Sequence, residues 1–273
     1  MRFAKMQGLG NDYVYVNCFE EQVEDPGRLA RFVSDRHFGI GSDGLILICP
    51  SEKADCRMRM FNGDGSEGIM CGNGIRCVGK YAYDHGIVNS LHMTVETLDG
   101  VKQLDMKARD GRVEMITVDM GTPGLAGPLG ESIQVEGMNL QMTAVDVGSP
   151  HAVYYMDDID GLELEKLGPA FEHHSRFPDR VNTEFVEVAD RSHIRMRVWE
   201  RGSGETWACG TGATASALVS MLLGLTDNHV EVQLRGGNLE ISRNPETGHM
   251  FMTGPAVEVF SGEMDLARCG YAQ

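Results

Sequence analysis

The sequence predicts an α+β protein built from two pseudo-symmetric domains that arose by internal duplication. The first observation is a repeated motif: "EGIMCGNGIRCV" (residues 67–78) and "ETWACGTGATAS" (residues 205–216) carry the same glutamate, cysteine and glycine pattern, with Cys71 aligned with Cys209. The second is that alternating apolar segments flank both copies, which predicts strands on either side of each motif. A chain of 273 residues accommodates two such domains, each a mainly antiparallel sheet wrapped around one central helix.

The segments around the two motifs align at nearly the same offset as the cysteines. Upstream, "GNDYVYV" and "SPHAVYYM" are apolar strands entered through a polar turn, with Asn11 aligned with His151. Downstream, "HMTVETLDGVKQL" from His92 aligns with "HVEVQLRGGNLEI" from His229, and the glycine-containing turn in each predicts a β-hairpin. Because all three alignments have nearly the same offset, they indicate a duplicated domain.

One helix is predicted directly after each motif cysteine. The segment "TGATASALVSMLLGL" is apolar nearly all round, which is typical of a helix enclosed on every side. A glycine follows each cysteine at the same spacing, Gly86 after Cys71 and Gly224 after Cys209, and glycine is common just beyond a helix C-terminus. Both helices are therefore expected to begin after their cysteine and to end at their glycine.

A segment rich in glycine and proline separates the two copies. The stretch "MGTPGLAGPLGES" (residues 120–132) has a composition that breaks both helix and strand. We therefore place the first domain at residues 1–118, with Cys71, and the second at residues 119–254, with Cys209.

Composition and charge exclude several classes of function. The net charge of −16 argues against a nucleic-acid partner and against docking on an anionic membrane. No apolar run approaches the roughly 20 residues of a membrane span, and the N-terminus lacks the apolar stretch of a signal peptide, so a cytoplasmic protein is expected. The seven cysteines include no CxxC pair and the six lysines lie in no pyridoxal phosphate motif, so neither a metal site nor a cofactor is predicted.

The two motif cysteines predict acid–base chemistry at a carbon atom. A helix N-terminus presents unpaired N–H groups and the positive end of the dipole, so the pKa of a cysteine thiol there is expected to be lowered. The glycines that follow allow these N–H groups to hold an anion such as a carboxylate. A thiolate on one face of a carbon and a thiol on the other can remove one proton and return another with inversion.

Three residues other than the cysteines, Glu67, Glu205 and His151, have two interpretations each. Glu67 and Glu205 are either acidic residues of the first helical turn, favoured there by the dipole, or braces of the cysteine turns. His151 is either a hydrogen-bonded turn histidine or a proton relay that assists Cys209.

Five segments carry a resemblance to a known family: "MQGLGNDYVYV", "RHFGIGSDGLILI", "RMFNGDGSEGIMCGNGIRCVGKYAYDHG", "RVNTEFVEV" and "RMRVWERGSGETWACGTGATAS". They closely resemble diaminopimelate epimerases, over essentially the whole chain. The resemblance implies a cofactor-independent epimerase that interconverts LL- and meso-2,6-diaminopimelate for lysine and peptidoglycan precursor synthesis. It also implies two barrel-like domains, a homodimer, and a return of the chain to the first domain over residues 255–273.

The resemblance also assigns residue roles by motif. Cys71 and Cys209 are similar to the acid–base pair, and His151 and Glu200 to the groups that support proton movement. The backbone groups that hold the α-carboxylate at the reacting centre correspond to those of Gly72, Asn73, Gly210 and Thr211. The side-chain contacts with the substrate correspond to Asn11, Asn62, Asn182, Glu200 and Arg201. Glu200 and Arg201 also suit the distal amino-acid head, because a carboxylate binds its ammonium and a guanidinium its carboxylate.

Three positions depart from the family pattern. Ser149 stands where the family usually has an asparagine that contacts the distal head, and Gly44 stands where some members have glutamine. Thr214 replaces a frequent cysteine. Because serine is shorter than asparagine, Ser149 leaves room for a different substrate. Two alternatives therefore remain: a racemase of another amino acid on the same scaffold, and a non-catalytic amino-acid-binding protein.

Overall fold

The computed structural model of the protein describes residues 1–269 and 271. Residues 270, 272 and 273, at the end of the expected C-terminal return, lie outside the described residues. The chain divides into two compact units: one contains Met1–Val118 and the segment that begins at Gly254, and the other contains Asp119–Thr253. No helix in this described part of the chain has the length and apolar character needed to cross a membrane.

The first unit holds two helices and the first eight strands of the chain, the last of which ends just past the unit boundary. In chain order these are β1 (Arg2–Gly8), β2 (Asn11–Asn17), α1 (Pro26–Ser34), β3 (Gly44–Cys49), β4 (Cys56–Asn62), β5 (Glu67–Gly68), α2 (Gly72–Asp84), β6 (His92–Thr97), β7 (Gly100–Arg109) and β8 (Arg112–Gly121).

The second unit repeats this succession of elements. In chain order these are β9 (Gly124–Leu125), β10 (Glu131–Val135), β11 (Met138–Asp146), β12 (Pro150–Tyr155), α3 (Leu164–Glu172), β13 (Asn182–Val188), β14 (His193–Glu200), β15 (Gly204–Thr206), α4 (Gly210–Leu222), β16 (His229–Leu234), β17 (Gly237–Arg243) and β18 (Met250–Pro255). The last strand, β19 (Val257–Glu263), belongs to the first unit.

The two units share one strand order. In the first unit the order is β19-β1-β2-β3-β4-β6-β7-β8, and among the residues that the structure describes only the pairs β2–β3 and β4–β6 are parallel. In the second unit the order is β10-β11-β12-β13-β14-β16-β17-β18, and the corresponding pairs β12–β13 and β14–β16 are the parallel ones. The predicted α+β class with mainly antiparallel sheets is confirmed, and the repeat seen in the sequence is a repeat of topology.

Each unit places its sheet around one buried helix. Helix α2 contacts β1, β2, β6, β7 and β19, strands that span the sheet of the first unit, so that sheet curves around the helix. Helix α4 contacts six strands of its own sheet in the same way. Ten of its 13 residues are buried, as the nearly all-round apolar sequence predicts. The enclosure fixes the position of the N-terminal turn of each helix.

The predicted local signals at the ends of these elements are present. Helices α2 and α4 begin directly after Cys71 and Cys209, and both are followed by a glycine with positive φ, 73° at Gly86 and 70° at Gly224. The two predicted hairpins are β6–β7 and β16–β17. The prediction that residues 120–132 break all regular structure is wrong in part, because β9 lies within the segment and pairs with β11.

Candidate active site

The first motif cysteine caps helix α2. Cys71 has an extended backbone and its Sγ accepts a hydrogen bond from the Gly74 N–H at 3.2 Å, so the sulfur takes the place of a capping oxygen. The thiol lies 3.3 Å from Asn11 Oδ1, to which it donates. The amide of Asn11 is oriented by its own donation to Asp43 Oδ2 at 2.9 Å. The structure therefore brings together Asn11 and Cys71, both of which were predicted site residues.

The second motif cysteine occupies the equivalent position on α4. Cys209 is also an extended N-cap residue, with its Sγ 3.4 Å from the Gly212 N–H and 3.4 Å from Thr211 Oγ1. Its side chain is buried, whereas Cys71 is half-buried. The predicted placement of one cysteine at each helix start is thus what the structure shows within each unit.

The expected lowering of the cysteine pKa is wrong for Cys209. Burial raises the pKa of this thiol well above its usual range, and the negative charges of Glu200 and Glu184 raise it further. Hydrogen bonds from Thr211 and from the backbone of Gly212 act in the opposite direction and are the weaker effects. The helix N-terminus is present, but burial beside two carboxylates dominates it.

The raised pKa predicts a pH dependence for modification of Cys209. Only the thiolate reacts with iodoacetamide, so Cys209 is expected to react slowly at neutral pH and to gain reactivity at a higher pH than an ordinary thiol does. The measurement is the alkylation of the Cys209 peptide by mass spectrometry at a series of pH values, with N-acetylcysteine as the reference thiol. A midpoint below that of N-acetylcysteine would contradict the prediction.

A buried hydrogen-bonded chain lies in the same unit as Cys209. His151 Nδ1 lies 2.7 Å from Glu184 Oε1, and His151 Nε2 lies 2.9 Å from Ser149 Oγ. His151 and Glu184 are fully buried. Because a carboxylate only accepts, Nδ1 carries the proton that faces Glu184. His151 lies on strand β12 rather than in a turn, and Ser149 contacts His151 directly.

Glu184 is a residue that the sequence analysis missed. It lies on β13 beneath the first turn of α4, where a side-chain carbon at Gly212 would come within 2.7 Å of its Oε1. Its Oε2 is buried without a hydrogen-bond partner among the described residues. The equivalent position in the first unit is Ile46, which packs against Gly74 in the same way. One signal in the sequence distinguishes Glu184: its counterpart in the first unit, Ile46, is apolar.

Glu200 completes the acidic surroundings of Cys209. It ends strand β14, and Thr206 Oγ1 donates to its Oε1. Burial raises its pKa; hydrogen bonds with Thr206 and Cys209 oppose that rise. Glu200, Cys209 and His151 therefore interact electrostatically with one another.

Glu67 and Glu205 brace the cysteine turns. Neither helix has an acidic residue in its first turn, so the interpretation as helical acids is wrong. Glu67 on β5 pairs with Arg59 of β4 at 2.8 Å, and Glu205 on β15 pairs with Arg197 of β14 at 2.8 Å. Each pair ties the short strand that leads into a cysteine to the strand beside it.

The first unit carries a buried cation where the second has a hydroxyl. Arg76 of α2 is fully buried, and its guanidinium donates to Asn73 Oδ1 at 3.0 Å and to the Gly72 carbonyl at 3.2 Å. Burial lowers its pKa, an effect that nearby Cys77 and Cys71 oppose. The equivalent residue of α4 is Thr214, whose hydroxyl donates to Gly210 O. The side chain of Asn73 is thus directed at Arg76.

The remaining predicted residues form hydrogen bonds with residues other than the cysteines. Asn182 is buried, and its side-chain amide bonds to two backbone groups. Its Nδ2 donates to Pro150 O, and its Oδ1 accepts from the Arg201 N–H. Arg201 is exposed and its guanidinium donates to Asp179 O. Asn62, also exposed, donates to Ser66 Oγ at 3.0 Å.

Gly44 has no room for a side chain in this fold. It begins strand β3, and a Cβ there would lie 2.1 Å from Phe61 O and 2.8 Å from the Tyr13 ring. Its contribution to any site is therefore limited to its backbone, and a glutamine at this position requires a different local backbone.

The sequence matches a family described as diaminopimelate epimerase over residues 3–126 and 143–259. The chain belongs to the diaminopimelate epimerase family. It is 54% identical over 277 residues to the diaminopimelate epimerase of Acetivibrio thermocellus, covering 97% of this chain and 99% of the relative. It is 49% identical over 277 residues to the diaminopimelate epimerase of Methanococcus maripaludis, covering 97% of this chain and 100% of the relative.

Solved structures with little sequence identity share the family fold. A probable proline racemase from Agrobacterium radiobacter superposes with a TM-score of 0.77 at 16% identity, covering 97% of this chain and 93% of that one. A hydroxyproline epimerase from Agrobacterium vitis superposes with a TM-score of 0.72 at 14% identity, covering 96% and 91%. These similarities establish the fold of this family member.

Proposed function

We propose that the protein is a cofactor-independent epimerase that interconverts LL- and meso-2,6-diaminopimelate, using Cys71 and Cys209 as its two acid–base groups. The observation that carries the proposal is the repetition of one N-capping cysteine at the start of the central helix in both units. Two relatives that are 54% and 49% identical to this chain are named diaminopimelate epimerase, and these names support diaminopimelate as the substrate.

The two cysteines begin the reaction in different protonation states. Burial and two carboxylates keep Cys209 protonated, so it is the acid at rest. Cys71, whose thiol donates to Asn11 Oδ1, is the proposed base once it has lost that proton, in a unit whose helix carries the buried cation Arg76. The thiolate takes the α-proton, the electron pair of the broken C–H bond remains on the carbon, and the Cys209 thiol delivers a proton to the opposite face.

The helix starts hold the carboxylate beside the reacting carbon. The N–H groups of Gly72, Asn73, Gly210 and Thr211 lie in the first turns of α2 and α4, where the positive end of each dipole favours an anion. Their hydrogen bonds stabilise the charge that develops on the carboxylate when the carbon is deprotonated.

His151, Glu184 and Glu200 control proton movement at Cys209. Glu184 holds His151 in one orientation and one tautomer, and Glu200 and Glu184 together oppose ionisation of the thiol. When Cys209 has given up its proton, the same carboxylates favour its return, which readies the enzyme for the next turnover. Asn11, Asn62, Asn182 and Arg201 contribute side-chain contacts to the substrate, Ser149 is a further candidate for such a contact, and Gly44 contributes only its backbone.

The proposal includes a cytoplasmic homodimer in which each unit is one epimerase half. The division into two halves is supported by relatives that match 97% of this chain and 99–100% of their own length, and the homodimer and the location are expected from the family resemblance. Light scattering on the purified protein measures the assembly directly: a mass of twice 29.9 kDa is expected.

Turnover of LL-diaminopimelate in D₂O tests the function. The expected result is meso product with deuterium at one α-carbon, because the proton that returns comes from a thiol in exchange with solvent. Racemisation of proline or another amino acid at a higher rate than diaminopimelate would favour the racemase alternative. Binding without exchange of the α-proton would favour the non-catalytic one.

A further inference from the structure

Two cysteines outside the proposed active site lie side by side in the first unit. Strands β2 and β3 are parallel, with Asn17 opposite Ile48, and the Cys18 N–H donates to Ile48 O at 2.8 Å. Cys18 directly follows the end of β2, and Cys49 is the last residue of β3. Both sulfur-bearing side chains pack against the same apolar cluster, which includes Val16 and Leu47. They therefore share one face of the sheet, as residues two apart on a strand do.

The backbone spacing at this point suits a covalent bridge. Neighbouring strands lie about 4.7–4.9 Å apart. That spacing falls within the Cα separation of about 4.4–6.8 Å that a disulfide spans. The two thiols are close enough to influence each other's pKa, and both are half-buried, so solutes have partial access to them.

The charges beside the pair distinguish its two members. Arg57 and Arg59 of β4 lie on the same face, with Arg57 opposite Cys49 in the register. The hydrogen bond from Cys18 and these two cations lower the pKa of Cys49, while the pKa of Cys18 is raised by its hydrogen bond with Cys49. Cys49 is thus the more reactive sulfur, and Cys18 is the thiol poised beside it.

We propose that Cys18 and Cys49 form a peroxide-reactive dithiol site that closes to a disulfide, separate from the two proposed catalytic cysteines. The oxidant is hydrogen peroxide. The Cys49 sulfur attacks one peroxide oxygen: an S–O bond forms, the O–O bond breaks, and the leaving hydroxide is protonated to water. The Cys18 sulfur then attacks the sulfenic sulfur: the S–S bond forms, the S–O bond breaks, and the Cys18 proton leaves with the hydroxide as a second water. Two thiols lose two electrons and one peroxide becomes two waters.

Peptide mapping of the native protein tests the proposal without any substitution. The protein is treated with hydrogen peroxide, remaining thiols are alkylated, and the digest is analysed without reduction. The expected product is a cross-linked peptide that contains Cys18 and Cys49 and separates on reduction. Recovery of both cysteines as alkylated thiols would overturn the proposal. So would a bridge from Cys49 to the nearby Cys56, whose pKa burial raises to about 12.

Single substitutions test the assigned order of the two sulfurs. In Cys18→Ser the sulfenic acid on Cys49 has no partner, so dimedone is expected to label Cys49 after peroxide treatment. In Cys49→Ser no dimedone label is expected on Cys18, and labelling there would overturn the assignment. Cys56→Ser is the matched control and should form the Cys18–Cys49 bridge as the native chain does. The test of this site does not depend on the proposed epimerase activity, because it detects a covalent bond and not turnover.

Discussion

Replacement of Cys71 or Cys209 by alanine is expected to lower the turnover of LL-diaminopimelate by a factor of roughly 10²–10⁴, the range that a positioned acid or base contributes. Each sulfur caps its helix, and each unit supplies only one of them at a helix start. In the proposed mechanism Cys71 takes the α-proton, and Cys209 delivers one to the other face. Either substitution is therefore expected to slow inversion at the same carbon.

The measurement is the rate of meso product formation, with circular dichroism and thermal unfolding as checks that each variant is folded. The matched control is Cys269→Ala, because Cys269 is an exposed cysteine with no role in the proposed chemistry. The control should retain full turnover. Turnover close to that of the native enzyme in either Cys71→Ala or Cys209→Ala would rule out the two-base assignment.

Glu184→Gln is expected to lower kcat by roughly 10- to 100-fold, corresponding to about 1.5–3 kcal/mol for a hydrogen bond to a charged group. The glutamine keeps the shape of the side chain but removes the charge that faces His151 Nδ1 at 2.7 Å. His151 is then free to adopt the other tautomer, and Cys209 loses one of the two carboxylates that favour its protonated form.

The pH profile separates this effect from a purely structural one. Removal of a nearby negative charge lowers the pKa of a thiol, so the alkylation midpoint of Cys209 should move to lower pH in Glu184→Gln. Glu187→Gln, further along the same strand and paired with Arg195, is the matched control and should leave the midpoint unchanged. An unchanged midpoint in Glu184→Gln together with unchanged kcat would contradict the role of Glu184.

A third substitution uses the repeat itself as a guide. Ile46 occupies the position of Glu184 in the first unit, so Glu184→Ile places a side chain that the same backbone already accommodates beneath a helix start. We expect a folded protein with a lower Cys209 midpoint and reduced turnover. A variant that fails to fold here leaves Glu184→Gln as the decisive measurement.

Local signals allowed much of the fold to be predicted. Helix starts at Cys71 and Cys209, helix ends at Gly86 and Gly224, and the two hairpins all depend on residues within a few positions of one another. Helix capping, glycine conformation and the alternation of apolar and polar residues act over this short range. Because of the duplication, each of these signals occurs twice in the sequence. The paired cysteines at helix starts were predicted for the same reason.

The charge state of the site was decided by the tertiary structure. The sequence by itself determined that Cys209 begins a helix, and the dipole alone predicts a lowered pKa. Burial among strands from distant parts of the chain, with Glu184 and Glu200 beside the sulfur, reverses that direction. Nothing local in "NTEFVEV" shows that Glu184 faces a buried histidine and a cysteine, and Cys18 and Cys49 are separated by a helix in the sequence. Desolvation and Coulomb energies depend on which atoms meet in space, and strand pairing between remote segments sets those distances.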